Sequence, residues 1–209
     1  MSLGNVLIFG DSYSTFLGYI QNGYATYYPS LDVNKVEETW WCRVIKELSL
    51  NLVLNDSYSG APICYTGYNK EDCSKTFSFI KRYRKLKEEG FFNKNCIDTV
   101  FVFGGTNDSC ANAPLGEEKY ENYLEKDLFC VKPAVCYFVK ELKETLPKAK
   151  IVFILNTELK EEIHKCILAV AKRYGITAVE LTDIEKENGH PTANGMQQIA
   201  KQVLSAFNL

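Results

Sequence analysis

The chain has 209 residues, of which 46% are apolar and 24% charged, and its net charge at neutral pH is −2. This length is enough for one domain with a sizeable core, and we expect residues 1–209 to form it. A net charge near zero does not favour binding to nucleic acid or to an anionic membrane, and the apolar stretches are too short to span a bilayer.

Five apolar runs of strand length follow one another along the chain. They are rich in Val, Ile, Leu and Phe and do not alternate with polar residues, which is typical of strands that are buried on both faces of a parallel sheet. The predicted strands are residues 5–9, 50–54, 99–103, 151–155 and 177–181.

Amphipathic segments between these runs predict helices over residues 37–48, 74–88, 120–146, 159–174 and 192–207. Pro133 is expected to break or restart the long third segment, because proline cannot donate the helical hydrogen bond. Strands that alternate with helices predict a three-layer α/β/α sandwich around a doubly wound, mainly parallel, five-stranded sheet of the flavodoxin-like type.

Small polar residues follow three of the predicted strands and precede the last helix. The segments are residues 10–12, 55–60, 103–108 and 187–195. In doubly wound sheets, sites form beyond the carboxyl ends of the strands. We therefore expect a serine, a glycine, an asparagine and a histidine from these four segments to lie together at one edge of the sheet.

Ser12 is the candidate nucleophile, because it stands at the tip of the first strand. A serine hydroxyl needs an adjacent base, and the chain has two imidazoles, those of His164 and His190. His164 lies midway along an amphipathic helix, whereas His190 precedes Pro191 on a short loop, which favours His190 as the base. Ser14 is a weaker candidate for the nucleophile, since it falls in the turn that follows.

The four segments resemble the sequence blocks of the SGNH hydrolases, also called the GDSL esterase/lipase family. The GDS block matches residues 10–12, the glycine of the second block matches Gly60, and the G-x-N-D block matches residues 105–108. The D-x-x-H-P block matches residues 187–191 in part. The matches occur in the family's order and extend over nearly the whole chain.

This resemblance implies a role for each matched residue. Ser12 is then the nucleophile, and His190 is the general base that takes its proton and returns it to the leaving alcohol. The oxyanion hole consists of the Ser12 and Gly60 backbone N–H groups and the Asn107 side-chain amide. Glycine suits this place, because its backbone approaches a substrate closely and tolerates a positive φ.

The carboxylate that would orient the histidine is the point at which the chain departs from the family. Glu187 stands three residues before the histidine, where the family has aspartate, and it is the predicted third member of the triad. Asp183 is a rival, and a backbone carbonyl in place of any carboxylate is the third option. Asp11 and Asp108 are expected to fix loops through bonds to the backbone.

The predicted activity is that of a serine esterase, which cleaves a carboxylic ester through an acyl-enzyme without a metal or an organic cofactor. Eight cysteines without a C-x-x-C pair predict reduced thiols rather than a zinc site. The expected partner is a small-molecule ester. A short acyl group such as acetyl on a carbohydrate is favoured, because no long apolar lid is evident and residues 18–29 contain four tyrosines.

Two other functions remain open at this point. One is a flavodoxin-like module without enzymatic activity, which binds a nucleotide or phosphate at a helix N-terminus. The other is a catalytically degenerate hydrolase that only binds glycan. No nucleic-acid partner and no membrane insertion are expected, and the oligomeric state is left open. A cytoplasmic location is expected, provided that no native signal peptide has been removed from the chain.

Overall fold

The centre of the protein is a parallel sheet, seen in a computed structural model that describes residues 4–207. Its strands are β1 (Asn5–Gly10), β2 (Asn51–Ser57), β3 (Thr99–Phe103), β4 (Lys150–Leu155) and β5 (Thr177–Glu180). They pair in the order β2-β1-β3-β4-β5, and every pairing is parallel. This is the flavodoxin-like strand order, with β1 and β3 at its centre.

Helices cover both faces of the sheet. Within residues 4–207 they are α1 (Trp40–Glu47), α2 (Phe79–Glu88), α3 (Phe91–Lys94), α4 (Thr106–Cys110), α5 (Val131–Thr145), α6 (Glu161–Tyr174) and α7 (Ala193–Ser205). α1 and α7 pack on one face, and α2, α5 and α6 pack on the other. The predicted α/β/α sandwich is confirmed.

The core has two halves because successive side chains of a strand point to opposite faces. In β1, Leu7 and Phe9 belong to the cluster under α2, α5 and α6, while Val6 and Ile8 belong to the cluster under α1 and α7. All four side chains are fully buried. β1 therefore ends in the middle of the molecule, and a residue directly beyond it is held from several sides.

Side-chain caps decide where several helices begin. Thr39, Ser78 and Thr192 each accept a backbone N–H of the first turn, which starts α1, α2 and α7 after the predicted positions. The prediction of a helix over residues 120–146 was wrong in its first part. α5 begins at Val131, and Pro133 lies in its first turn, where the backbone N–H would have no helical partner.

A two-stranded hairpin between β5 and α7 replaces the predicted loop. Its strands are β6 (Lys186–Glu187) and β7 (His190–Pro191), and they pair antiparallel. Asn188 and Gly189 form the two-residue turn with φ of 51° and 75°. Positive φ at both positions is typical of the Asn-Gly turn that closes a tight hairpin.

None of the helices in residues 4–207 is both long enough and apolar enough to cross a bilayer. All eight cysteines are free thiols, and four of them are buried in the core. The sheet and its helices, rather than disulfides, therefore hold this part of the chain together.

Candidate active site

The Ser12 hydroxyl lies directly beyond β1, in a short 3-10 turn. Asp11 caps this turn, and its Oδ1 atom accepts the backbone N–H of Tyr13 at 3.0 Å. Ser14 is fully buried and its Oγ accepts the indole N–H of Trp40 at 3.2 Å, whereas Ser12 keeps 7% exposure. Of the two hydroxyls, that of Ser12 is the one that solvent reaches.

The imidazole of His190 reaches this hydroxyl from the hairpin. Its Nε2 atom lies 3.0 Å from Ser12 Oγ, although 178 positions separate the two residues. Its Nδ1 atom lies 3.2 Å from the carbonyl oxygen of Asn188. Because a carbonyl can only accept, Nδ1 carries the proton in this arrangement, and Nε2 is left to accept the serine proton.

No carboxylate within residues 4–207 hydrogen-bonds to the His190 ring. Glu187 pairs with His190 across the hairpin, yet its side chain is exposed and makes no contact with Nδ1. Asp183 is exposed as well. The geometry thus differs from the predicted triad. The tight turn brings the Asn188 carbonyl to Nδ1, and this carbonyl accepts the one hydrogen that Nδ1 carries.

The surroundings of His190 favour its neutral form. Burial lowers the pKa of the imidazole below its ordinary value, and the positive charge of Lys186 acts in the same direction. The bond to the Asn188 carbonyl opposes both effects by favouring the protonated ring. A neutral imidazole near pH 7 is the state that a general base requires.

The other histidine belongs to a different part of the molecule. His164 lies on α6, where its Nε2 atom is 3.0 Å from a carboxylate oxygen of Glu180 at the end of β5. Within the described residues, its ring contacts neither Ser12 nor the hairpin. This agrees with the sequence, which favours His190 over His164 as the base.

Three donors of the predicted oxyanion hole come from three strand ends. Gly60 has a φ of 82° in the loop after β2, and Asn107 lies buried in the first turn of α4. Among residues 4–207, the backbone N–H groups of Ser12 and Gly60 have no acceptor. The Asn107 amide is fixed on both sides, since Nδ2 donates to the Ala61 carbonyl at 3.1 Å and Oδ1 accepts the Tyr68 hydroxyl at 3.0 Å.

Two buried aspartates connect these loops, as expected from the sequence. Asp108 accepts the backbone N–H groups of Ile63 and Cys64 at 2.9 and 3.0 Å, which ties α4 to the loop after Gly60. Burial raises the pKa of Asp108, and it raises that of Asp11 to about 7, an increase to which the nearby Asp108 charge adds. Both carboxyl groups are completely buried.

Two tyrosine hydroxyls hold the backbone on either side of His190. Tyr13 donates to the Gly189 carbonyl at 2.6 Å, and Tyr28 donates to the Pro191 carbonyl at 2.7 Å. Both tyrosines are buried. The sequence-based site did not contain them, since nothing in the spacing relates a tyrosine to a carbonyl more than 160 residues away.

Lys186 fastens the first strand of the hairpin to the end of β4. Its Nζ atom donates to Asn156 Oδ1 at 2.9 Å and to Thr157 Oγ1 at 2.8 Å, and it forms an ion pair with Glu158 at 3.2 Å. Burial lowers the pKa of this amine. The hairpin that carries His190 is therefore attached to β4 as well as to the turn that carries Ser12.

A buried guanidinium fixes the ends of β1 and β2 beneath Ser12. Arg82 of α2 donates to the carbonyls of Gly10, Asp56 and Phe77, and its Nη1 atom lies 3.3 Å from Asp56 Oδ2. Gln21 donates to the other oxygen of Asp56 at 2.6 Å. From the sequence, Arg82 is predicted only to lie on an amphipathic helix, where an arginine is usually exposed.

A family model for GDSL-like lipases and acylhydrolases matches residues 4–207. Together with the fold, this match means that the chain belongs to the GDSL-like lipase/acylhydrolase family. The class of protein that the fold and the family define is that of the ester hydrolases.

Two crystal structures of candidate GDSL-like lipases are similar to the chain over nearly its whole length. The one from Bacteroides ovatus is 41% identical with a TM-score of 0.91, and the match covers 100% of this chain and 99% of that chain. The one from Bacteroides uniformis is 42% identical with a TM-score of 0.90, covering 98% and 95% of the two chains.

More distant structures share the fold. A family two carbohydrate esterase from Clostridium thermocellum, in complex with cellohexaose, is 16% identical with a TM-score of 0.68, covering 99% of this chain and 64% of that one. An acetyl xylan esterase from Butyrivibrio proteoclasticus is 16% identical with a TM-score of 0.63, covering 100% and 64%. None of the curated proteins that were compared matches the chain.

Proposed function

We propose that this protein is a serine esterase that hydrolyses a small carboxylic ester through an acyl-enzyme. The observation that carries the proposal is the 3.0 Å contact between Ser12 Oγ and His190 Nε2 at the carboxyl edge of the sheet. Membership of the GDSL-like lipase/acylhydrolase family supports the same class of reaction.

In the acylation step, Ser12 Oγ attacks the ester carbonyl carbon while His190 Nε2 takes the hydroxyl proton. The negative charge that develops on the carbonyl oxygen is stabilised by the Ser12 and Gly60 N–H groups and by Asn107 Nδ2. His190 then gives the proton to the leaving alcohol as the bond to it breaks. In the second step, water attacks the acyl-enzyme with His190 again as base, and Ser12 is regenerated.

The proposed catalytic unit is a Ser-His pair rather than a triad. The carbonyl of Asn188 keeps the proton on Nδ1 and so leaves Nε2 free to accept, which is one of the two tasks of a triad carboxylate. The second task, stabilisation of the charged imidazolium, falls only partly to this carbonyl because it carries no full charge.

The proposed substrate is an ester with a short acyl group, and acetyl on a carbohydrate is the leading candidate. Two structures that share the fold are a carbohydrate esterase and an acetyl xylan esterase. Aromatic side chains suit a sugar, and two tyrosines lie at the site: the Tyr27 ring stacks on His190, and the Tyr68 hydroxyl donates to Asn107 Oδ1. A panel of p-nitrophenyl esters of increasing acyl length and of acetylated sugars would define this preference.

The test of the reaction is hydrolysis of p-nitrophenyl acetate by the wild type and by Ser12→Ala. We expect Ser12→Ala to lower kcat/KM by roughly 10⁴- to 10⁶-fold, as removal of a serine nucleophile does elsewhere. Ser205→Ala, an exposed serine on α7, is the matched control and should leave the rate unchanged. Equal turnover by Ser12→Ala and the wild type would rule out Ser12 as the nucleophile.

A fluorophosphonate probe separates this proposal from the two non-catalytic functions. We expect the probe to label the wild type and not Ser12→Ala. A folded protein that binds glycan but takes up no probe would instead be a degenerate hydrolase. A thermal shift with flavin mononucleotide, without labelling, would favour the phosphate-binding module.

A further inference from the structure

The His190 ring is in contact with the face of an aromatic side chain that has no part in the mechanism described so far. Tyr27 stacks on the imidazole with ring centroids 3.6 Å apart and an angle of 7° between the planes. Tyr13 also lies near the imidazole, at 5.4 Å, but is tilted by 58°. Tyr27 is thus the side chain that covers one face of the histidine.

Tyr27 is held in place independently of the histidine. Its backbone N–H donates to Thr15 Oγ1 at 2.9 Å, close to the nucleophile turn. Its neighbour Tyr28 is fully buried, donates to the Pro191 carbonyl and packs edge-on against the Tyr27 ring at 4.9 Å. The stacked ring is therefore part of the framework that also fixes the backbone beside His190.

The stack of Tyr27 on His190 matters for catalysis because the imidazole becomes positively charged during the reaction. When Ser12 loses its proton, the imidazole becomes a cation, and Lys186 places a second positive charge in its neighbourhood. The Asn188 carbonyl is the single acceptor on Nδ1, and no carboxylate within the described residues is bonded to the ring. Something other than a carboxylate has to favour the charged imidazole.

The face of a tyrosine ring carries negative electrostatic potential. It therefore attracts a positively charged imidazolium more strongly than it attracts a neutral imidazole. Stacking on Tyr27 therefore stabilises the imidazolium of the transition state more than the neutral imidazole of the resting enzyme. An interaction that is stronger in the transition state than in the ground state raises kcat. The same stack restricts rotation of the imidazole, whose Nε2 atom lies 3.0 Å from Ser12 Oγ.

We propose that Tyr27 is a positioning residue for His190 and that its aromatic face takes over part of the carboxylate's role in this Ser-His pair. The proposal rests on the proposed esterase function. It assigns Tyr27 an effect on kcat rather than on substrate binding, and it assigns that effect to the ring face rather than to the hydroxyl.

The test compares three side chains at position 27 in the full-length protein, with p-nitrophenyl acetate as substrate. Tyr27→Phe keeps the ring face, so its kcat should stay within about threefold of the wild type. Pentafluorophenylalanine at the same position has nearly the shape of phenylalanine but the opposite charge on its face. We expect it to lower kcat roughly 3- to 30-fold relative to Tyr27→Phe, with KM within twofold.

Tyr27→Leu removes the ring and should lower kcat at least as much as pentafluorophenylalanine does. The proposal is wrong if pentafluorophenylalanine and phenylalanine give the same kcat, or if the variants change KM alone, because Tyr27 would then only contact the substrate. Since these two side chains differ little in shape, the comparison stands even if Tyr27→Leu fails to fold.

Ser12→Ala separates failure of this proposal from failure of the esterase function. If Ser12→Ala is inactive and the three Tyr27 variants share the wild-type kcat, only the assignment of Tyr27 is overturned. If Ser12→Ala keeps the wild-type rate, the esterase function itself is wrong.

Discussion

The nucleophile and the base of the proposed pair are held by different means. Ser12 follows the central strand β1 directly, and its turn rests on the buried Arg82–Asp56 ion pair and on the Asp11 cap. His190 lies outside the sheet, on a hairpin that side chains from distant parts of the chain hold in place. The proposed nucleophile is thus positioned by strands and buried charges, and the proposed base by tyrosines and a backbone carbonyl.

The largest effect is expected on the nucleophile side, from Arg82→Met. This change leaves Asp56 buried without its cation and removes the donor from the carbonyls of Gly10, Asp56 and Phe77. Removing one partner of a buried ion pair costs about 3–5 kcal/mol, and we expect the free energy of unfolding in urea to fall by that amount.

Lys87→Met is the matched control on the same helix. Lys87 is 53% exposed and forms its ion pair with Glu141 at the surface, so the loss should stay below about 1 kcal/mol. If both variants lose the same amount of stability, the buried cluster does not hold the nucleophile side.

The second effect is a pH dependence of stability that Asp11 introduces. Its pKa in the folded protein is raised by burial to about 7, against 3.8 for a free carboxyl group. Well below pH 3.8 both states bind the proton. As the pH rises to 7, the carboxyl group ionises first in the unfolded chain, which favours unfolding. The free energy of unfolding therefore falls by on the order of 4 kcal/mol, since one pKa unit corresponds to about 1.4 kcal/mol.

Asp11→Asn should remove this slope, because asparagine does not titrate and can still accept the Tyr13 N–H. Unfolding in urea at a series of pH values between 4 and 7.5 measures it. The exposed Asp183 provides the control, since Asp183→Asn should follow the wild-type curve. Parallel curves for Asp11→Asn and the wild type would mean that the buried carboxyl group does not hold its proton.

The smallest effect is expected from Glu187→Gln on the base side. Its carboxylate makes no contact with Nδ1 of His190, so kcat/KM for p-nitrophenyl acetate should change by less than about threefold. Loss of the triad aspartate from serine proteases lowers kcat by about 10⁴-fold. A decrease of more than 100-fold in Glu187→Gln would show that the carboxylate reaches the imidazole during turnover.

Most of the fold could be predicted from the sequence because it depends on local patterns. Buried strands leave uninterrupted apolar runs, and the predicted range of β3, residues 99–103, agrees with the structure. The error before α5 has a local cause as well. Residues 120–130 have a mixed composition, and the Asp127 carboxylate accepts the backbone N–H of Leu124 at 2.8 Å, which starts a short 3-10 turn at Glu125–Phe129 instead of a longer helix.

The nucleophile side of the site was predictable for the same reason, since Ser12 and Asn107 follow strands that the pattern reveals. The base side was not. A two-residue turn at Asn188 and Gly189 determines which acceptor reaches Nδ1, and spacing alone cannot distinguish a carbonyl in that turn from the Glu187 carboxylate. The tyrosines are equally hidden, because their partners lie more than 160 positions away.

The most direct test of the carboxylate-free histidine is its own titration. The chain contains two histidines, so in His164→Gln all imidazole C–H signals in the NMR spectrum come from His190. We expect that signal to give a pKa for His190 below 6.5, because burial and Lys186 disfavour the charged ring. A pKa above 7, as a bonded carboxylate would produce, would contradict the proposed Ser-His pair.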